Sequence, residues 1–210
     1  MGGIRLGPKL VIATHNPGKI VEFGGLLAPL GVEAVSVADL ALPVPEETEE
    51  TFEGNAAIKA EAASLATGLP ALADDSGLLV DALGGDPGIH TADWAGPDRD
   101  YGLAMGRVLS GLAAAGAVTS DERRASFLAV LALARPRHET LFFKGRVDGH
   151  IADMPRGTGF GYDPIFIPGQ GDGRTFGEMT REEKAGGADP LSHRARAVAA
   201  FIAALALEDR

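Results

Sequence analysis

Short apolar runs alternate with segments in which apolar side chains recur every three or four residues. The first run, Leu10-Val11-Ile12-Ala13, is typical of a buried strand, and the segment after it keeps Ile20, Phe23, Leu27 and Leu30 on one side of a helix. The same alternation continues along the chain. It predicts strands over residues 9–13, 32–37, 71–73, 78–83, 124–134 and 140–147, and helices over residues 18–28, 51–66, 99–115 and from 192 onward.

Strands that alternate with helices indicate an α/β protein. Strands 124–134 and 140–147 are joined by a short turn that contains proline, so they are predicted to pair antiparallel and to make the sheet mixed. Loops are predicted over residues 84–98 and 155–164, where Gly and Pro cluster. A chain of 210 residues with 45% apolar side chains is expected to form one domain, residues 1–210, with two lobes.

Composition narrows the classes of function. The chain has no cysteine, which excludes disulfides, thiolate metal sites and a cysteine nucleophile. Its formal charge of −10 argues against binding nucleic acid through bulk electrostatics. The longest apolar stretch, residues 197–207, is too short to span a bilayer, and the first ten residues contain no apolar signal core. We therefore expect a cytoplasmic protein without a membrane anchor.

The segment between the first strand and the first helix places Thr14, Asn16, Gly18 and Lys19 together. A helix N-terminus offers free backbone N–H groups, and a glycine lets the backbone approach a ligand closely. A lysine in the first turn opposes the helix dipole unless an anion lies nearby. A phosphate site explains this pattern, and an ordinary capped helix with a surface lysine remains the alternative.

Acidic side chains follow at two places. Asp74, Asp75 and Ser76 are predicted to lie where a short apolar strand ends, and adjacent carboxylates repel each other unless a cation compensates. Mg²⁺ takes oxygen ligands of this type, commonly together with substrate phosphates. The alternative is an Asx-turn with a solvated Asp pair. The acidic run 46–50 is either a solvated loop or the source of one or two metal ligands.

Two further segments combine polar and aromatic side chains. "GFGYDP" (159–164) joins flexible glycines to two aromatic rings and a carboxylate, which suits stacking on a base; the alternative is a tight turn with both rings in the core. "SHRARA" (192–197) places His193 and Arg194 near a helix N-terminus, where cations favour a nearby anion or acceptor; the alternative is a capped helix with solvent-facing arginines.

Six collinear blocks identify a resemblance. "ATHNPGKIVEF", "EET…TFEGNAAIKA", "ALADDSGL", "GTGFGYDPIF", "EMTREEK" and "SHRARA" occur in order over nearly the whole chain. Together they resemble the inosine/xanthosine triphosphate pyrophosphatases, the RdgB-like family. The resemblance implies an elongated mixed α/β fold with a central active-site cleft between two lobes. It also implies Mg²⁺-dependent hydrolysis of non-standard purine nucleoside triphosphates (ITP, dITP, XTP) to the monophosphate and pyrophosphate, by a homodimer.

The matched motifs imply roles for individual residues. Asp75 resembles the general base and metal ligand, Glu47 the second metal carboxylate, and Asp74 a residue that supports the site. The triphosphate contacts carried over by resemblance are Thr14, His15, Asn16, Pro17, Gly18, Lys19 and Lys59, and the resemblance also assigns Asn55 and Ser76 to substrate binding. The residues that resemble the base pocket are Phe160, Gly161, Tyr162, Asp163, Lys184, His193 and Arg194. Donors among them suit a 6-oxo purine, since an adenine amino group would leave buried donors unpaired.

The sequence departs from the family pattern in places. His15 stands where relatives often have Gly or Ser, and residues 185–191 separate Lys184 from Ser192. Either Glu46 or Glu47 is the metal carboxylate. A Maf-like nucleotide pyrophosphatase is the nearest alternative enzyme, and "GFGYDPIF" with "SHR" argues against it. A nucleotide-binding module without turnover is the alternative of a different class, against which the intact Lys19, Asp74 and Asp75 argue.

Overall fold

The computed structural model describes residue 4 and residues 6–187 and 189–206. The chain divides into two compact units. Unit 1 comprises the residues up to Asp75, Val130–Phe143 and the residues from Val198 onward; unit 2 comprises Ser76–Ala129 and Lys144–Ala197. Within the described part of the chain, no helix is both long enough and apolar enough to cross a membrane.

A six-stranded sheet runs through the molecule in the order β2-β1-β3-β4-β5-β6. Strand β1 pairs in parallel with both β2 and β3, whereas β5 and β6 pair antiparallel. The α/β class and the mixed sheet flanked by helices are thus confirmed. The strands are β1 (Lys9–Ile12), β2 (Glu33–Ser36), β3 (Ala71–Val80), β4 (Arg124–Ala134), β5 (Leu141–Ile151) and β6 (Phe166–Pro168). The helices are α1 (Pro17–Leu27), α2 (Phe52–Thr67), α3 (Tyr101–Ala114), α4 (Arg181–Ala185) and α5 (His193–Ala206).

Strand order reverses at β1, and this reversal determines which helix faces which side of the sheet in unit 1. In the sheet, β2 and β3 are the two neighbours of β1, one at each edge. Helix α1 connects β1 to β2, and α2 connects β2 to β3 across β1. Because both crossovers follow the right-handed rule, the two helices lie on opposite faces of the sheet. Ligand sites in α/β sheets lie at the carboxyl ends of the strands next to such a reversal.

The core of unit 2 is built around three aromatic rings from different elements. Phe127 of β4 lies 4.7 Å from Phe166 and 6.2 Å from Phe176, measured between ring centroids, and all three are buried. Helix α3 adds Ala104, Val108 and Leu112, which recur at helical spacing on its buried face.

Most predicted elements are confirmed within one or two residues at their boundaries. The antiparallel direction predicted for 124–134 and 140–147 stays a prediction, although β4 and β5 are neighbours in the sheet. Strand β6 and helix α4 were missed because each is very short. Leu30 is 44% exposed, since α1 ends at Leu27 and a 3₁₀ turn over Ala28–Leu30 carries that side chain away from the buried side.

The largest correction concerns β3. Strands were predicted over 71–73 and 78–83 with a break at the Asp pair, but β3 runs without interruption over Ala71–Val80, and Asp81–Leu83 form a 3₁₀ turn. Two adjacent carboxylates are tolerated inside a strand because successive side chains point to opposite faces. Asp74 and Asp75 therefore do not face each other.

Candidate active site

The loop between β1 and α1 is stabilised by its own polar groups. The Thr14 hydroxyl accepts a hydrogen bond from the Asn16 backbone N–H (3.2 Å), which closes a local turn. The Asn16 carbonyl in turn accepts from the N–H groups of Lys19 and Ile20 (3.1 and 3.2 Å), so α1 begins with Pro17 and Gly18 in its first turn. His15 is exposed and lies 3.3 Å from the Leu42 carbonyl through its Nε2.

Lys19 forms a bidentate ion pair with Asp74. Its Nζ lies 2.7 Å from both carboxylate oxygens, and the Asp74 side chain is 2% exposed. The lysine that opposes the helix dipole therefore does have an anion beside it, supplied by β3. Because the carboxylate is almost wholly buried, it fixes the position of the ammonium at the start of α1.

Lys59 of α2 lies within reach of two carboxylates. Its Nζ is 3.2 Å from Oε1 of Glu47 and 3.8 Å from Oδ1 of Asp75. Lys59 and Asp75 are each 15% exposed at the side chain, and Glu47 is 42% exposed. Between the two acidic neighbours left open by the sequence, it is Glu47 that makes this contact. We call Lys19, Glu47, Lys59, Asp74 and Asp75 the carboxylate–lysine cluster.

Helix positions explain why each aspartate meets a different lysine. Lys19 is on α1 and Lys59 is on α2, and these helices cover opposite faces of the sheet. Asp74 and Asp75 point to opposite faces of β3 and so meet one lysine each. The predicted repulsion between adjacent carboxylates is thus avoided by geometry as well as by charge compensation.

The acidic segment 46–50 is held against the start of α2. The buried Asn55 side chain accepts a hydrogen bond from the Glu49 backbone N–H (3.0 Å) through Oδ1. A Cβ at Gly54 would lie 2.4 Å from the Glu49 Cβ, so only glycine permits this close approach. Thr51 caps α2 by accepting from the Gly54 N–H. Asn55, predicted to touch substrate, therefore has a structural role, which is to position the segment that carries Glu47.

In unit 2, the loop 155–164 presents one aromatic ring to solvent and buries the other. Phe160 is 67% exposed and lies 5.3 Å from the ring of Tyr101, which begins α3. Gly161 adopts a left-handed conformation (φ 65°), and a Cβ there would lie 3.7 Å from the Tyr101 ring. Of the two aromatic side chains predicted for base stacking, Phe160 is the one that a ligand can reach.

Tyr162 belongs to the core of unit 2. It is 1% exposed, its ring lies 5.8 Å from that of Tyr101, and its hydroxyl donates to the Thr91 carbonyl (3.0 Å). Burial, followed by the nearby Tyr101, raises the pKa of the Tyr162 hydroxyl above its usual range. A ring held in this way does not fit the prediction that it stacks on a base.

Lys184 is fixed by Asp163 from the same loop. Its Nζ donates to Oδ2 of Asp163 at 3.0 Å, and both side chains are mostly buried, at 19% and 16% exposure. Helix α4, which carries Lys184, begins with a capping box in which Thr180 and Glu183 satisfy each other's backbone N–H groups. Two segments predicted to form the base pocket are thereby joined by a partly buried ion pair.

The start of α5 brings its two basic residues to different partners. The imidazole of His193 stacks on Phe127, with ring centroids 4.7 Å apart and planes inclined by 11°. Arg194 donates through Nη2 to the Ser76 hydroxyl at 3.4 Å. The Ser192 N–H donates to the Lys184 carbonyl at 2.8 Å, which joins the end of α4 to the residue before α5. We call Ser76, Phe160, Asp163, Lys184, His193 and Arg194 the aromatic–basic cluster.

Sequence reasoning missed the residues that support these side chains. Tyr101 contacts Phe160, Phe127 contacts His193, and the Thr91 carbonyl accepts from Tyr162. Tyr101 and Phe127 are residue types that are common in protein cores. The sequence does not indicate which backbone carbonyl accepts a hydrogen bond. The predicted central cleft stays a prediction.

The comparisons with known proteins agree with these observations. The model of the Ham1 family matches residues 10–204. The chain belongs to the Ham1 family. It is similar to the dITP/XTP pyrophosphatase of Brucella melitensis, with 54% identity over 201 residues that cover 92% of this chain and 91% of the relative. It is also 52% identical to the dITP/XTP pyrophosphatase of Bradyrhizobium diazoefficiens, over 98% of this chain and 99% of the relative.

Solved structures of other Ham1 proteins have the same fold. The Ham1 protein of Staphylococcus aureus superposes with a TM-score of 0.85 at 38% identity, over 96% of this chain and all of that one. The Ham1 protein of Coxiella burnetii also has a TM-score of 0.85, at 37% identity over 96% and 99% of the two chains. The resemblance drawn from the six sequence blocks is confirmed at the level of family and fold.

Proposed function

We propose that this Ham1 protein hydrolyses non-standard purine nucleoside triphosphates, such as ITP, dITP and XTP, to the monophosphate and pyrophosphate. The observation that carries the proposal is the carboxylate–lysine cluster at β3, in which Lys19 contacts Asp74 on one face of the strand and Lys59 contacts Glu47 and Asp75 on the other. Such a set suits a polyanion whose charge is shared between lysines and a cation. Relatives named dITP/XTP pyrophosphatase match nearly the whole chain, which supports the substrate class.

Glu47 and Asp75 fit the requirements of a Mg²⁺ site. Oxygen atoms of both carboxylates lie within 4 Å of one cation, the Lys59 ammonium, so they already converge on a single positive charge. Among the described residues, no group of three or more potential ligands gathers, and Mg²⁺ commonly uses only one or two carboxylates with substrate phosphates. Bound there, Mg²⁺ would neutralise phosphate charge and polarise the phosphorus–oxygen bond.

The residues of the chain itself supply the remaining roles. Thr14 to Lys19 surround the phosphates, and the backbone N–H groups at the start of α1 favour an anion there. Lys19 and Lys59 balance the charge that develops on the pyrophosphate leaving group. Asp75 accepts a proton from the attacking water, and Asp74 holds the Lys19 ammonium in place through its bidentate contact.

The aromatic–basic cluster binds the purine in this proposal. Phe160 offers an exposed ring for stacking, and the Tyr101 ring packs against it. Lys184, His193 and Arg194 carry donors that suit a 6-oxo group. An adenine amino group would leave such donors without an acceptor, at a cost of about 1–3 kcal/mol for each buried group. The preference for ITP over ATP follows from this difference.

Homodimer formation and a cytoplasmic location complete the proposal, and both rest on the family resemblance and the sequence. Sedimentation velocity tests the first, with a mass of twice 21.6 kDa expected. Fractionation of cells that express the tagged chain tests the second. A monomer at micromolar concentration, or recovery of the protein outside the cytoplasmic fraction, would contradict the respective statement.

A nucleotide panel tests the activity. Release of pyrophosphate and monophosphate from ITP, dITP, XTP, ATP, GTP, CTP and UTP is measured with and without Mg²⁺, for the wild type and for Asp75→Asn. We expect Mg²⁺-dependent turnover of the first three, lost in the variant. Turnover confined to pyrimidine nucleotides would indicate a Maf-like activity, and ITP binding without pyrophosphate release would indicate a binding module. Either result would overturn the proposal.

A further inference from the structure

Helix α5 lies directly on strand β5 at Gly145, with no side chain between them. A Cβ built on Gly145 would lie 2.0 Å from the His193 carbonyl oxygen and 2.4 Å from the Ala197 backbone nitrogen. These two atoms are the i and i+4 partners of the first turn of α5. The same Cβ would lie 2.8 Å from the Arg196 Cβ, whereas ordinary contacts begin at 3.4 Å. Any residue other than glycine would therefore displace the first turn of α5.

Arg196 stabilises the same turn through hydrogen bonds from its side chain. Its guanidinium donates to the Arg146 carbonyl (2.9 Å), to the Pro190 carbonyl (2.7 Å) and to the Gln170 side-chain oxygen. The first acceptor is the residue after Gly145, and the second, Pro190, lies between α4 and α5. Since Arg196 is only 23% exposed and its planar fork makes three hydrogen bonds and an ion pair with Asp189, one side chain joins β5, α5 and the residues that precede α5.

The consequence falls on the residues at the beginning of α5. His193 and Arg194 lie in the turn that contacts Gly145, and Lys184 is joined through its carbonyl to the residue before α5. We propose that Gly145 and Arg196 are positioning residues that set the selectivity for the purine base by fixing where His193, Arg194 and Lys184 stand. This inference rests on the proposed function, because the base contacts of those three residues belong to it.

The displacement expected from Gly145→Ala is large on the scale of a binding pocket. The contact at 2.0 Å must open by more than about 1 Å to reach ordinary van der Waals separation, and the atoms on the other side are helix backbone, which moves only as a unit. A misplacement of about 1 Å costs roughly 100-fold in rate when it affects groups that orient a substrate. The loop 14–19 and the carboxylate–lysine cluster contain none of the atoms that are displaced.

The experiment compares Gly145→Ala and Arg196→Ala with Arg146→Ala. Arg146→Ala removes a neighbouring arginine but keeps the carbonyl that Arg196 uses. We measure kcat and KM for ITP and ATP, the melting temperature, and the NMR signal of the His193 ring, assigned with His193→Gln. Stacking on Phe127 shifts this signal by ring current, so it reports the position of α5 without any substrate.

We expect Gly145→Ala to lower kcat/KM for ITP about 100-fold, with a much smaller loss for ATP, and to move the His193 signal. Arg196→Ala should also lower kcat/KM for ITP and move the His193 signal. Arg196→Lys should recover part of the lost kcat/KM, since an ammonium reaches only some of the three hydrogen-bond acceptors. The control variant Arg146→Ala keeps the ITP to ATP ratio. An unchanged ratio and an unchanged His193 signal in a folded Gly145→Ala or Arg196→Ala protein would overturn the inference.

The design distinguishes failure of the positioning inference from failure of the proposed function. If Gly145→Ala does not fold, Arg196→Ala against Arg146→Ala decides the question with exposed or partly exposed side chains. If the wild type releases no pyrophosphate from ITP, the proposed function fails. In that case, an unchanged His193 signal in Gly145→Ala and Arg196→Ala would also overturn the inference that these residues position α5. A shifted signal would support that part of the inference.

Discussion

The Lys19 ammonium lies 2.7 Å from both carboxylate oxygens of Asp74, whose side chain is 2% exposed. A carboxylate this deeply buried gains from its partner, because the ammonium offsets part of its desolvation. The pair therefore stabilises the first βα junction and at the same time fixes a positive charge at the start of α1, next to residues 14–16.

Removing only the lysine should be costly. Lys19→Met is expected to lower the free energy of unfolding by about 3 kcal/mol, since it removes the cation that forms a bidentate pair with a buried carboxylate. The double variant Lys19→Met, Asp74→Asn should recover part of that loss. Urea unfolding measures both. Lys9→Met is the control, because Lys9 and Glu33 form an exposed pair worth less than about 1 kcal/mol. Equal losses for Lys9→Met and Lys19→Met would contradict the burial argument.

Glu47 should govern the response to Mg²⁺. Glu47→Gln removes one of the two carboxylates that converge on Lys59, and we expect the Mg²⁺ concentration for half-maximal ITP turnover to rise about tenfold or more. Glu46→Gln is a matched control one residue away and should leave the requirement unchanged. Titration of activity with MgCl₂ checks this, and a shift caused by Glu46→Gln alone would assign the metal to the other glutamate.

Phe160 should affect substrate binding and leave stability intact. Its ring is 67% exposed, so Phe160→Ala is expected to change the free energy of unfolding by less than about 0.5 kcal/mol. Loss of stacking on a base should raise KM for ITP about tenfold. Leu65→Ala, at a position 89% exposed on α2, is the control for removing an exposed apolar side chain. A KM that stays unchanged in Phe160→Ala would exclude the stacking role.

Tyr162 should affect stability and leave substrate binding intact. Tyr162→Phe removes the hydroxyl that donates to the Thr91 carbonyl, and the loss of that buried hydrogen bond should cost about 1 kcal/mol of stability. KM for ITP should stay close to the wild-type value because the ring is 1% exposed. Thermal unfolding and steady-state kinetics give both numbers. A large rise in KM with unchanged stability would indicate that Tyr162 contacts the substrate.

His150 should make the folded state sensitive to acid. Burial first, and then Arg123 and Arg156, lower the pKa of His150 below its usual 6.5, while Asp153 acts in the opposite sense. The unfolded chain therefore binds a proton more readily, so stability falls as the pH drops through about 6.5 towards the lowered pKa. His150→Asn should remove this part of the decline, as measured by urea unfolding between pH 5 and 8. An identical pH profile for the variant would show that His150 contributes nothing to it.

The sequence by itself determined the class of fold, most helices and strands, and the family, because each of these depends on local periodicity or on residues that are close along the chain. It also selected Lys19, Glu47, Lys59, Asp74 and Asp75 by type. Tertiary structure decided the pairing. Asp74 meets Lys19 and Asp75 meets Lys59 because β3 continues through the acidic pair and the two helices lie on opposite faces of the sheet.

The aromatic–basic cluster shows the same division. Phe160 and Tyr162 are two residues apart and chemically alike, yet one ring is exposed and the other is buried, since only packing against Tyr101 and Thr91 distinguishes them. Gly145 is an ordinary strand glycine in the sequence, and its role became visible only with α5 lying against it. Contacts between residues distant along the chain are set by how elements pack, and periodicity within one element carries no information about them.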